Sequence, residues 1–495
     1  MSRIIIQNGN MCELDLPLKF AQKLYNEFAI RHPNAFYLRT RQRGMQNWDG
    51  KIHYITKTGQ FKIGLLPKVY DMCIEMGIKP KVVDMRQPLP KVSKVVTNIG
   101  KYKLRPEQEK AVKAVINNKI GNTPFHIGVL DYTVNAGKTL IMSSLYLSYK
   151  KQLKTLLITN DSDWLNQARE EFKQYLPGED ITFVQGKVLN WSNFTIGMVQ
   201  SISRNMRFYQ KELSQIDMVL IDEADQGGSR QYQNVITRLF NTRIRIGLSG
   251  TIYMSKLAKD KVKNMNLECF FGKVLAEFKL RDSIKKGYST KTVVKMVPGK
   301  PWYGNWESDC ISYKEIYDDS ITNSYTAWLM AYSRLRWNIN QGRYPALVVC
   351  KHIAHCENLY KFFKKKLGDA YNIAYVHVNT KSKLRQQIMK DFREGKIDIL
   401  VSTTIIARGK NFPKLRYLLN AASMDSQEKS IQFLGRLVRT DKSKKKVYLD
   451  DLHYPGNYLD RHGKHRKQYY QRQELKVILL DKLWKKHPNH SLIQS

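Results

Sequence analysis

The sequence has little that would place the protein in a membrane or outside the cell. Its 495 residues contain no apolar run of about 18, the length that a helix needs to cross a bilayer. Six cysteines are scattered without a CxxC pair, so reduced thiols are expected rather than disulfides. The N-terminal residues join a short apolar run, Ile4–Ile6, to an acidic turn, unlike a secretory signal. These features predict a cytoplasmic protein.

A zinc site is also not expected. Cys350, His352, His355 and Cys356 lie close together, but Cys350 ends an apolar strand and the histidines begin a helix. No second pair of ligands follows at the spacing that zinc sites use. We therefore interpret this group as part of the fold.

Acidic residues are scarce relative to basic ones. The chain has 43 Asp and Glu against 83 Lys and Arg, a formal net charge of +40. Such an excess repels itself unless a polyanion neutralises it, and nucleic acid is the first candidate. A membrane surface is the second, but no amphipathic basic helix stands out. The charge therefore predicts nucleic acid as the partner and no membrane.

Two stretches alternate short, β-branched apolar runs with helical periodicity, which is typical of parallel α/β sheets covered on both faces. The predicted division is an N-terminal nucleic-acid-binding domain at 1–97, a first lobe at 98–290, a second lobe at 291–452 and a basic extension at 453–495. Helices are also predicted around Pro17–His32 in the N-terminal domain and around Gln471–Lys486 in the extension. The predicted strands are Ile127–Asp131, Thr155–Thr159, Ile181–Val184, Thr195–Val199, Asp217–Ile221 and Ile244–Leu248, then Ala346–Cys350, Ala374–Val378, Asp398–Ser402, Arg416–Asn420 and Lys446–Asp450.

The segment from Thr133 to Thr139 follows an apolar strand and precedes a helical run, the context of a phosphate-binding loop. Amides of the loop, through Asn135, Ala136 and Gly137, and the helix N-terminus can hold phosphate oxygens. Lys138 would reach the outer phosphates and Thr139 would bind Mg²⁺. Tyr132 stands where the first glycine of such loops is usual. Taken alone, the segment can also be an accidental helix cap.

Four residues, Asp222-Glu-Ala-Asp225, directly follow a predicted strand, where open α/β sheets bind ligands. Asp222 would hold Mg²⁺, Glu223 would activate the attacking water, and Asp225 would tie this loop to neighbouring motifs. The alternative is an acidic turn, which the phosphate loop upstream makes less favourable. Further on, Ser249-Gly-Thr251 can link the acidic loop Asp222–Asp225 to the second lobe. When this segment is considered without the other motifs, an ordinary helix cap is the favoured interpretation.

The second lobe carries Gln432, Arg436 and Arg439 on a helical pattern. Guanidinium groups three residues apart share one helix face and suit the charge of a transferring phosphoryl group. A solvated basic face is the alternative. The segment from Thr403 to Pro413, with Arg408 and Gly409, can touch both a nucleic-acid backbone and the nucleotide.

Tyr102, Arg105, Pro106 and Gln108 open the first lobe. Pro106 suits the first turn of a helix. The side chain of Gln108 has the donor and the acceptor needed to read an adenine edge. We therefore expect Tyr102, Arg105 and Gln108 at the nucleotide.

These elements, in this order over roughly residues 100–450, resemble the motifs of superfamily 2 helicases. The resemblance implies two tandem RecA-like lobes within the α/β fold class, ATP and Mg²⁺ as cofactors, and hydrolysis that moves the motor along a backbone. In this interpretation both lobes supply parts of one ATP site, and its closure and opening drive each step.

The chain is further similar to the UvsW-type family of phage DNA helicases, through Arg41 to Lys51, Lys351 to His355 and Tyr448 to Asp451. That similarity implies unwinding and branch migration of forked DNA in recombination, repair and replication, in the host-cell cytoplasm and with possible accessory proteins of those processes. Three residues depart from the pattern: Asp225 replaces a histidine, Asn160 a proline and Asn411 an aspartate.

The expected nucleic-acid contacts fall into two groups. Those of the N-terminal domain are basic or aromatic, and Phe36 and Trp48 are as readily core residues as stacking platforms. A basic run, Arg461 to Lys467, is either a solvated tail or a further contact. The expected contacts are Arg41, Arg43, Trp48, Lys51, Thr159, Gln200, Ser249, Thr251, Lys351, Thr403 and Arg408.

Three other functions fit the same motifs. An RNA helicase would use the same motor, a non-motor binder would keep an inactive ATP site, and a translocase subunit would serve a separate nuclease. Since backbone contacts carry no sequence information, binding should depend on DNA structure and steeply on salt.

Overall fold

The computed structural model describes residues 2–42, 44–149, 152–188, 191–252, 260–299, 312–407 and 412–480. The chain forms two compact units that join between Phe278 and Lys279. The first unit contains a small N-terminal domain and one α/β lobe, and the second contains another α/β lobe. In the described part of the chain, no helix is both long and apolar enough to cross a membrane.

The lobe of the first unit is built on a seven-stranded sheet whose neighbouring strands are all parallel. All six predicted strands are confirmed, and the central ones are continuous apolar runs because both of their faces are covered. The seventh, Val274–Phe278, is a partly exposed edge strand in which Glu277 interrupts the apolar run. The strand order is Ile181–Val184, Phe194–Met198, Thr155–Thr159, Met218–Asp222, Ile244–Ser249, His126–Tyr132 and Val274–Phe278.

Helices cover this sheet. They are Pro106–Ile116, Lys138–Ser148, Ser162–Tyr175, Val199–Arg204, Gln210–Ser214, Arg230–Ile236 and Lys261–Phe271, with a short 3₁₀ turn at Ala224–Gln226. Two small two-stranded ladders, Asn98–Ile99 with Tyr102–Lys103 and Lys119–Ile120 with Thr123–Pro124, complete the lobe.

The second unit has its own seven-stranded parallel sheet, so the predicted fold class of two RecA-like lobes is confirmed. The strand order is Ile373–Val376, Ile399–Thr403, Ala346–Cys350, Tyr417–Asn420, Lys446–His453, Lys291–Pro298 and Val477–Leu479. Its helices are Leu280–Lys285, Tyr313–Tyr317, Tyr325–Ile339, Ile353–Leu367, Ser382–Glu394, Gln427–Leu437 and Asn457–Arg472, with a π-helical turn at Asp318–Thr322 and a 3₁₀ turn at Thr404–Ala407.

The end of the described chain is part of this second sheet. Val477–Leu479 pairs in parallel with Val294, Lys295 and Met296 of the strand Lys291–Pro298. The predicted helix near Gln471–Lys486 is wrong for its described part, where the helix Asn457–Arg472 ends and this strand follows. Residues 481–486 lie outside the described residues. Three residues are too few to show a period, which is why the sequence does not reveal the strand.

Arg466 corrects the interpretation of the basic run in the same helix. It is fully buried, and its guanidinium lies 2.8 Å from a carboxylate oxygen of Asp451. It therefore belongs neither to a solvated tail nor to a surface that contacts DNA. Its neighbours Arg461 and Lys464 are exposed, as expected for the outer face of the helix.

The N-terminal domain is α+β. Its four-stranded sheet has the order Gln60–Lys62, Met11–Asp15, Arg3–Ile6 and Lys81–Asp84, and its helices are Leu18–Glu27, Ala35–Arg41 and Leu66–Glu75. The single helix expected at Pro17–His32 instead ends at Glu27, because Ala29–Arg31 pairs with Lys51–His53 as a small ladder.

This domain shares one hydrophobic core with the first lobe. Arg245, fully buried in the lobe sheet, donates to Gly9 O at 2.6 Å and to Asn10 Oδ1 at 2.8 Å. At Gly64, an added Cβ would lie 2.1 Å from the backbone oxygen of Glu268. So close an approach holds the domain firmly on the lobe.

Candidate nucleotide site and nucleic-acid interface

The predicted phosphate loop connects a buried strand, His126–Tyr132, to the eleven-residue helix Lys138–Ser148. Asn135 and Gly137 turn the chain with φ angles of 64° and 72°. Glycine is required at position 137 for two reasons. Its φ is positive, and an added Cβ would lie 2.3 Å from Gln108 Nε2. The helix N-terminus therefore stands at the loop, as an anion site requires.

Lys138 lies beside the acidic loop. Its Nζ is 3.4 Å from Asp222 Oδ1, since the strand ending at Asp222 lies two places from the strand preceding the loop. Burial lowers the pKa of Lys138, but the carboxylates of Asp222 and Glu223 outweigh it, so the pKa is raised. The ammonium is held in its charged form next to the predicted metal ligand.

The residues around the loop fit a nucleotide with Mg²⁺. Thr133 is buried, and its Oγ1 has no hydrogen-bond partner among the described residues. Thr139 is half-buried in the first helical turn, and Ala136 is buried in the loop. Thr139 and Asp222 supply the hydroxyl and carboxylate oxygens that Mg²⁺ prefers.

Gln108 is placed differently from the prediction. It is fully buried, its Oε1 accepts from Arg105 N at 2.8 Å and its Nε2 donates to Ala136 O at 2.8 Å. The amide therefore holds the phosphate loop to the Pro106–Ile116 helix, and both its oxygen and its nitrogen are bonded within the protein. Arg105 also reaches the loop, at Asn135 O, whereas the Tyr102 hydroxyl donates to Gln174.

The acidic loop is tied to the Ser249–Thr251 segment, as expected for Asp225. Ser249 Oγ donates to Asp225 Oδ1 at 2.7 Å and lies 3.0 Å from Thr251 Oγ1. Ser249 is buried, so its hydroxyl serves this link and does not offer a surface to nucleic acid. Glu223 has φ 55°, a strained backbone that costs on the order of 1–3 kcal/mol outside glycine and is typical of functional turns.

In the second unit, Lys351 follows the strand Ala346–Cys350. Its Nζ lies 4.0 Å from the ring centroid of Tyr313 and 5.1 Å from that of Tyr317. Burial and the positive charge of Lys429 lower the pKa of Lys351. Lys429 donates to Thr404 Oγ1, next to the buried Thr403. These groups form a cationic and hydroxyl-bearing edge of the sheet.

The two arginines do not share one helical face. Gln432 and Arg436 lie in the helix Gln427–Leu437, but the helix ends before Arg439. Thr290 holds this end, with its N–H donating to Val438 O and its Oγ1 to Arg439 O. Arg408 and Gly409 lie outside the described residues.

Both lobes are matched by protein families. Residues 101–254 match the family "Type III restriction enzyme, res subunit", and residues 331–441 match the "Helicase conserved C-terminal domain". The chain belongs to helicase superfamily 2. Both matched ranges lie within the predicted lobes.

Individual relatives of this helicase are distant. "Putative helicase 22" of Sulfolobus islandicus filamentous virus is 23% identical over 385 residues, which is 71% of this chain and 64% of that protein. The chain thus spans less than two thirds of that relative's length. The ATP-dependent type ISP restriction-modification enzyme LlaBIII, in a structure bound to DNA, is 14% identical to this chain. The alignment covers 81% of this chain and 33% of that chain, and the TM-score of 0.58 shows that the two share a fold. The alignment with UvsW of phage T4 covers 97% of this chain and 98% of that chain, with 18% identity and a TM-score of 0.44.

The group of cysteines and histidines in this helicase belongs to the core of the second lobe. Cys350, His355 and Cys356 are buried, and the Tyr317 hydroxyl lies 3.2 Å from His355 Nδ1. His352 contacts the same tyrosine ring edge-on, with centroids 4.8 Å apart. Burial, reinforced by His352, lowers the pKa of His355 to about 3.

The N-terminal domain presents aromatic residues to solvent. On the helix Ala35–Arg41, Phe36 is 80% exposed and Tyr37 is 56% exposed, so the core alternative for Phe36 is wrong. The guanidinium of Arg41 lies 5.2 Å from the Tyr37 ring centroid. Trp48 is half-buried and donates to Lys51 O at 2.9 Å, and Lys51 is exposed. Arg43 lies outside the described residues.

The strand-contact loop of the first lobe is joined to the acidic loop. Thr159 is buried, and its Oγ1 accepts from Asp161 N. Gln200 Nε2 donates to Asn160 O at 3.3 Å, and Asn160 Nδ2 donates to Gln226 Oε1. Gln226 directly follows Asp225. A proline at position 160 has no side-chain amide and would lack this bond, so the departure from the family pattern creates the link.

We expect Asn160→Ala and Gln226→Ala each to lower the ratio of DNA-stimulated to unstimulated ATP turnover about fivefold, the value of one hydrogen bond of roughly 1 kcal/mol. The double variant should lose no more than either single one, because both remove the same bond. Steady-state ATPase assays on the four proteins measure this ratio. Asn234→Ala, an exposed amide on a nearby helix, is the control. Additive losses would show that the two side chains act separately.

Proposed function

We propose that this superfamily 2 helicase is an ATP-dependent DNA translocase that acts on branched or forked DNA. The observation that carries the proposal is the pairing of Lys138 with Asp222 at 3.4 Å, beside a loop with two left-handed residues. A lysine, a metal-binding carboxylate and a helix N-terminus at one place are what phosphoryl transfer from ATP requires.

In the proposed reaction, Lys138 and the loop amides hold the outer phosphates of ATP. Thr139 and Asp222 would hold Mg²⁺, and the ion would supply positive charge against the phosphates. Glu223, whose backbone is left-handed directly after the strand Met218–Asp222, orients the attacking water. Arg436 and Arg439 of the second lobe stabilise the charge of the transferring group. Asp225 and Ser249 keep the acidic loop in register with Thr251.

The proposed preference for DNA branches rests on the N-terminal domain. Phe36 and Tyr37 are exposed beside Arg41, and exposed aromatic rings with cations stack on unpaired bases. Unpaired bases occur where DNA strands separate. The motif from Arg41 to Lys51 also resembles that of UvsW-type helicases, which act on branched DNA.

The test compares ATP turnover with forked DNA, intact duplex DNA, single-stranded DNA and RNA of equal length. We expect forked DNA to stimulate most. We also expect the Phe36→Ala, Tyr37→Ala double variant to bind forked DNA roughly tenfold more weakly, since stacking on an aromatic ring is worth about 1–3 kcal/mol per base. Fluorescence anisotropy without nucleotide measures the affinity.

Leu18→Ala is the matched control, because Leu18 is an apolar residue of the same domain and is 78% exposed. Stronger stimulation by RNA would favour an RNA helicase instead. Stimulation by intact duplex alone would favour a translocase subunit that serves a separate nuclease. Unchanged affinity of the aromatic double variant would remove Phe36 and Tyr37 from the interface.

A further inference from the structure

A cluster of cations and aromatic rings lies on the second lobe, away from the residues predicted to bind ATP. We call it the Trp337 patch and define it as Lys295, Trp337, Arg343, Lys446 and Tyr448. Lys295 Nζ lies 4.8 Å from the Trp337 ring centroid, and the Arg343 guanidinium lies 4.7 Å from the same centroid. The Arg343 guanidinium is also 3.6 Å from the Tyr448 centroid, and Lys446 Nζ is 5.7 Å from it. Trp337 is 42% exposed.

The rings hold the cations without neutralising them. A carboxylate would cancel a positive charge, whereas an aromatic face attracts the cation and leaves its charge intact. Arg343 is fixed further by donating to Asn338 Oδ1 at 3.0 Å. The patch therefore carries three positive charges in set positions.

One carboxylate lies beneath the patch, but it is already engaged. Asp450 is buried, and its Oδ2 accepts hydrogen bonds from Arg334, Asn338 and Tyr417. Burial lowers the pKa of Lys295, and repulsion from Arg334, Arg343 and Lys446 lowers it further, which together outweigh the attraction of Asp450. The cluster is thus short of negative charge, and an approaching phosphate would supply it.

The patch is separate from the expected motor contacts of this lobe. Arg343 precedes the strand Ala346–Cys350, and Tyr448 pairs in register with Tyr417 at the beginning of the neighbouring strand. Lys351 and Thr403 lie at the opposite, carboxyl end of the sheet. In the sheet register, Tyr448 and Thr403 are four residues apart, which is about 13 Å along the strands. Lys295, which pairs with Asp450, lies between these two levels, but its strand is three places from Ala346–Cys350 in the sheet.

We propose that the Trp337 patch binds the phosphate backbone of a second arm of a branched DNA, apart from the strand on which the motor moves. This inference rests on the proposed function. A motor that binds one backbone would then have a higher affinity for DNA with more than one arm, because the second arm adds phosphate contacts.

The test uses the full chain with Lys295→Gln and Lys446→Gln combined. Anisotropy with a labelled fork is measured over a salt series without nucleotide. Loss of two phosphate contacts should reduce the slope of log Kd against log salt by about 1.8 and weaken binding roughly tenfold. A single strand of equal length should lose much less. The control combines Lys119→Gln and Lys211→Gln, which remove two exposed lysines of the first lobe.

A second measurement needs no variant of the patch. The native protein is treated with a chemical acetylating reagent, with and without the fork, and the acetylated lysines are identified by mass spectrometry. The bound fork should protect Lys446 from acetylation but should not protect Lys119. Fork binding equal to that of the control, with Lys446 still acetylated, would overturn the proposal. Equal losses on the fork and on the single strand would overturn the assignment to a second arm. If no DNA stimulates the native ATPase, the proposed function itself fails, whatever the patch does.

Discussion

Replacing Lys138 with alanine is expected to lower ATP turnover at least roughly a thousandfold, the scale seen when one charged group is removed from a phosphoryl-transfer site. Lys138 lies at the loop between strand and helix, and Asp222 keeps its ammonium charged. Without it, the developing charge on the phosphates loses its fixed positive partner. Phosphate release at saturating ATP and forked DNA measures the effect.

DNA binding without nucleotide should be nearly unaffected in Lys138→Ala, because the side chain faces the acidic loop. Lys110→Ala, which removes an exposed lysine from the Pro106–Ile116 helix, should keep full turnover. Normal turnover in Lys138→Ala would mean that ATP is hydrolysed elsewhere. Loss of both turnover and DNA binding would point to misfolding of the variant. Equal melting temperatures of the variant and the native protein would exclude misfolding.

Replacing Arg466 with leucine is expected to lower the stability of the second lobe by about 3–5 kcal/mol, the cost of leaving a buried charge without its partner. Arg466 Nε donates to both carboxylate oxygens of Asp451, and Nη1 and Nη2 donate to Met424 O and Leu452 O. Without the arginine, Tyr470 and Asn420 remain as donors to Asp451 but supply no positive charge. Urea denaturation followed by fluorescence measures the loss.

Lys464→Ala on the same helix is the comparison. Lys464 is exposed and pairs with Asp460 one turn away, so its loss should cost less than about 1 kcal/mol. Similar small losses in both variants would show that the Asp451–Arg466 pair is not the connection between the C-terminal helix and the sheet. The helix would then be held by its apolar contacts alone.

The contact of this helix with the sheet also concerns the motor. Met424 and Asp425 precede the helix Gln427–Leu437, which carries Arg436. Asp425 accepts from the Tyr469 hydroxyl at 3.2 Å and lies 3.0 Å from His465 Nδ1. The C-terminal helix thus fixes the start of the segment that presents the proposed catalytic arginine. A region expected from composition to be a basic extension is a structural support of that segment.

Site residues were predictable where the chemistry is local in sequence. The phosphate loop and the acidic loop each follow a buried strand, and parallel strands bring their carboxyl ends to one edge. Their meeting at 3.4 Å follows from those two facts. Gln108 was not predictable, since its donor and acceptor suit an adenine and a loop amide equally well. Only its burial beneath Ala136 O decides between them.

The sequence by itself determined the two parallel sheets, the order of the motifs and the side chains for phosphate chemistry. Continuous apolar runs and glycine-containing turns are formed by residues that are neighbours in the chain, so they can be identified without the tertiary structure. The tertiary structure alone decided that Phe36 is exposed, that Arg466 is buried and that Asn160 meets Gln226. It also decided that Trp337 lies beside Lys295, from a distant strand, and Arg343, from the segment before another strand. Burial and charge pairing depend on residues far apart in the chain, and composition cannot indicate which of many arginines finds a buried carboxylate.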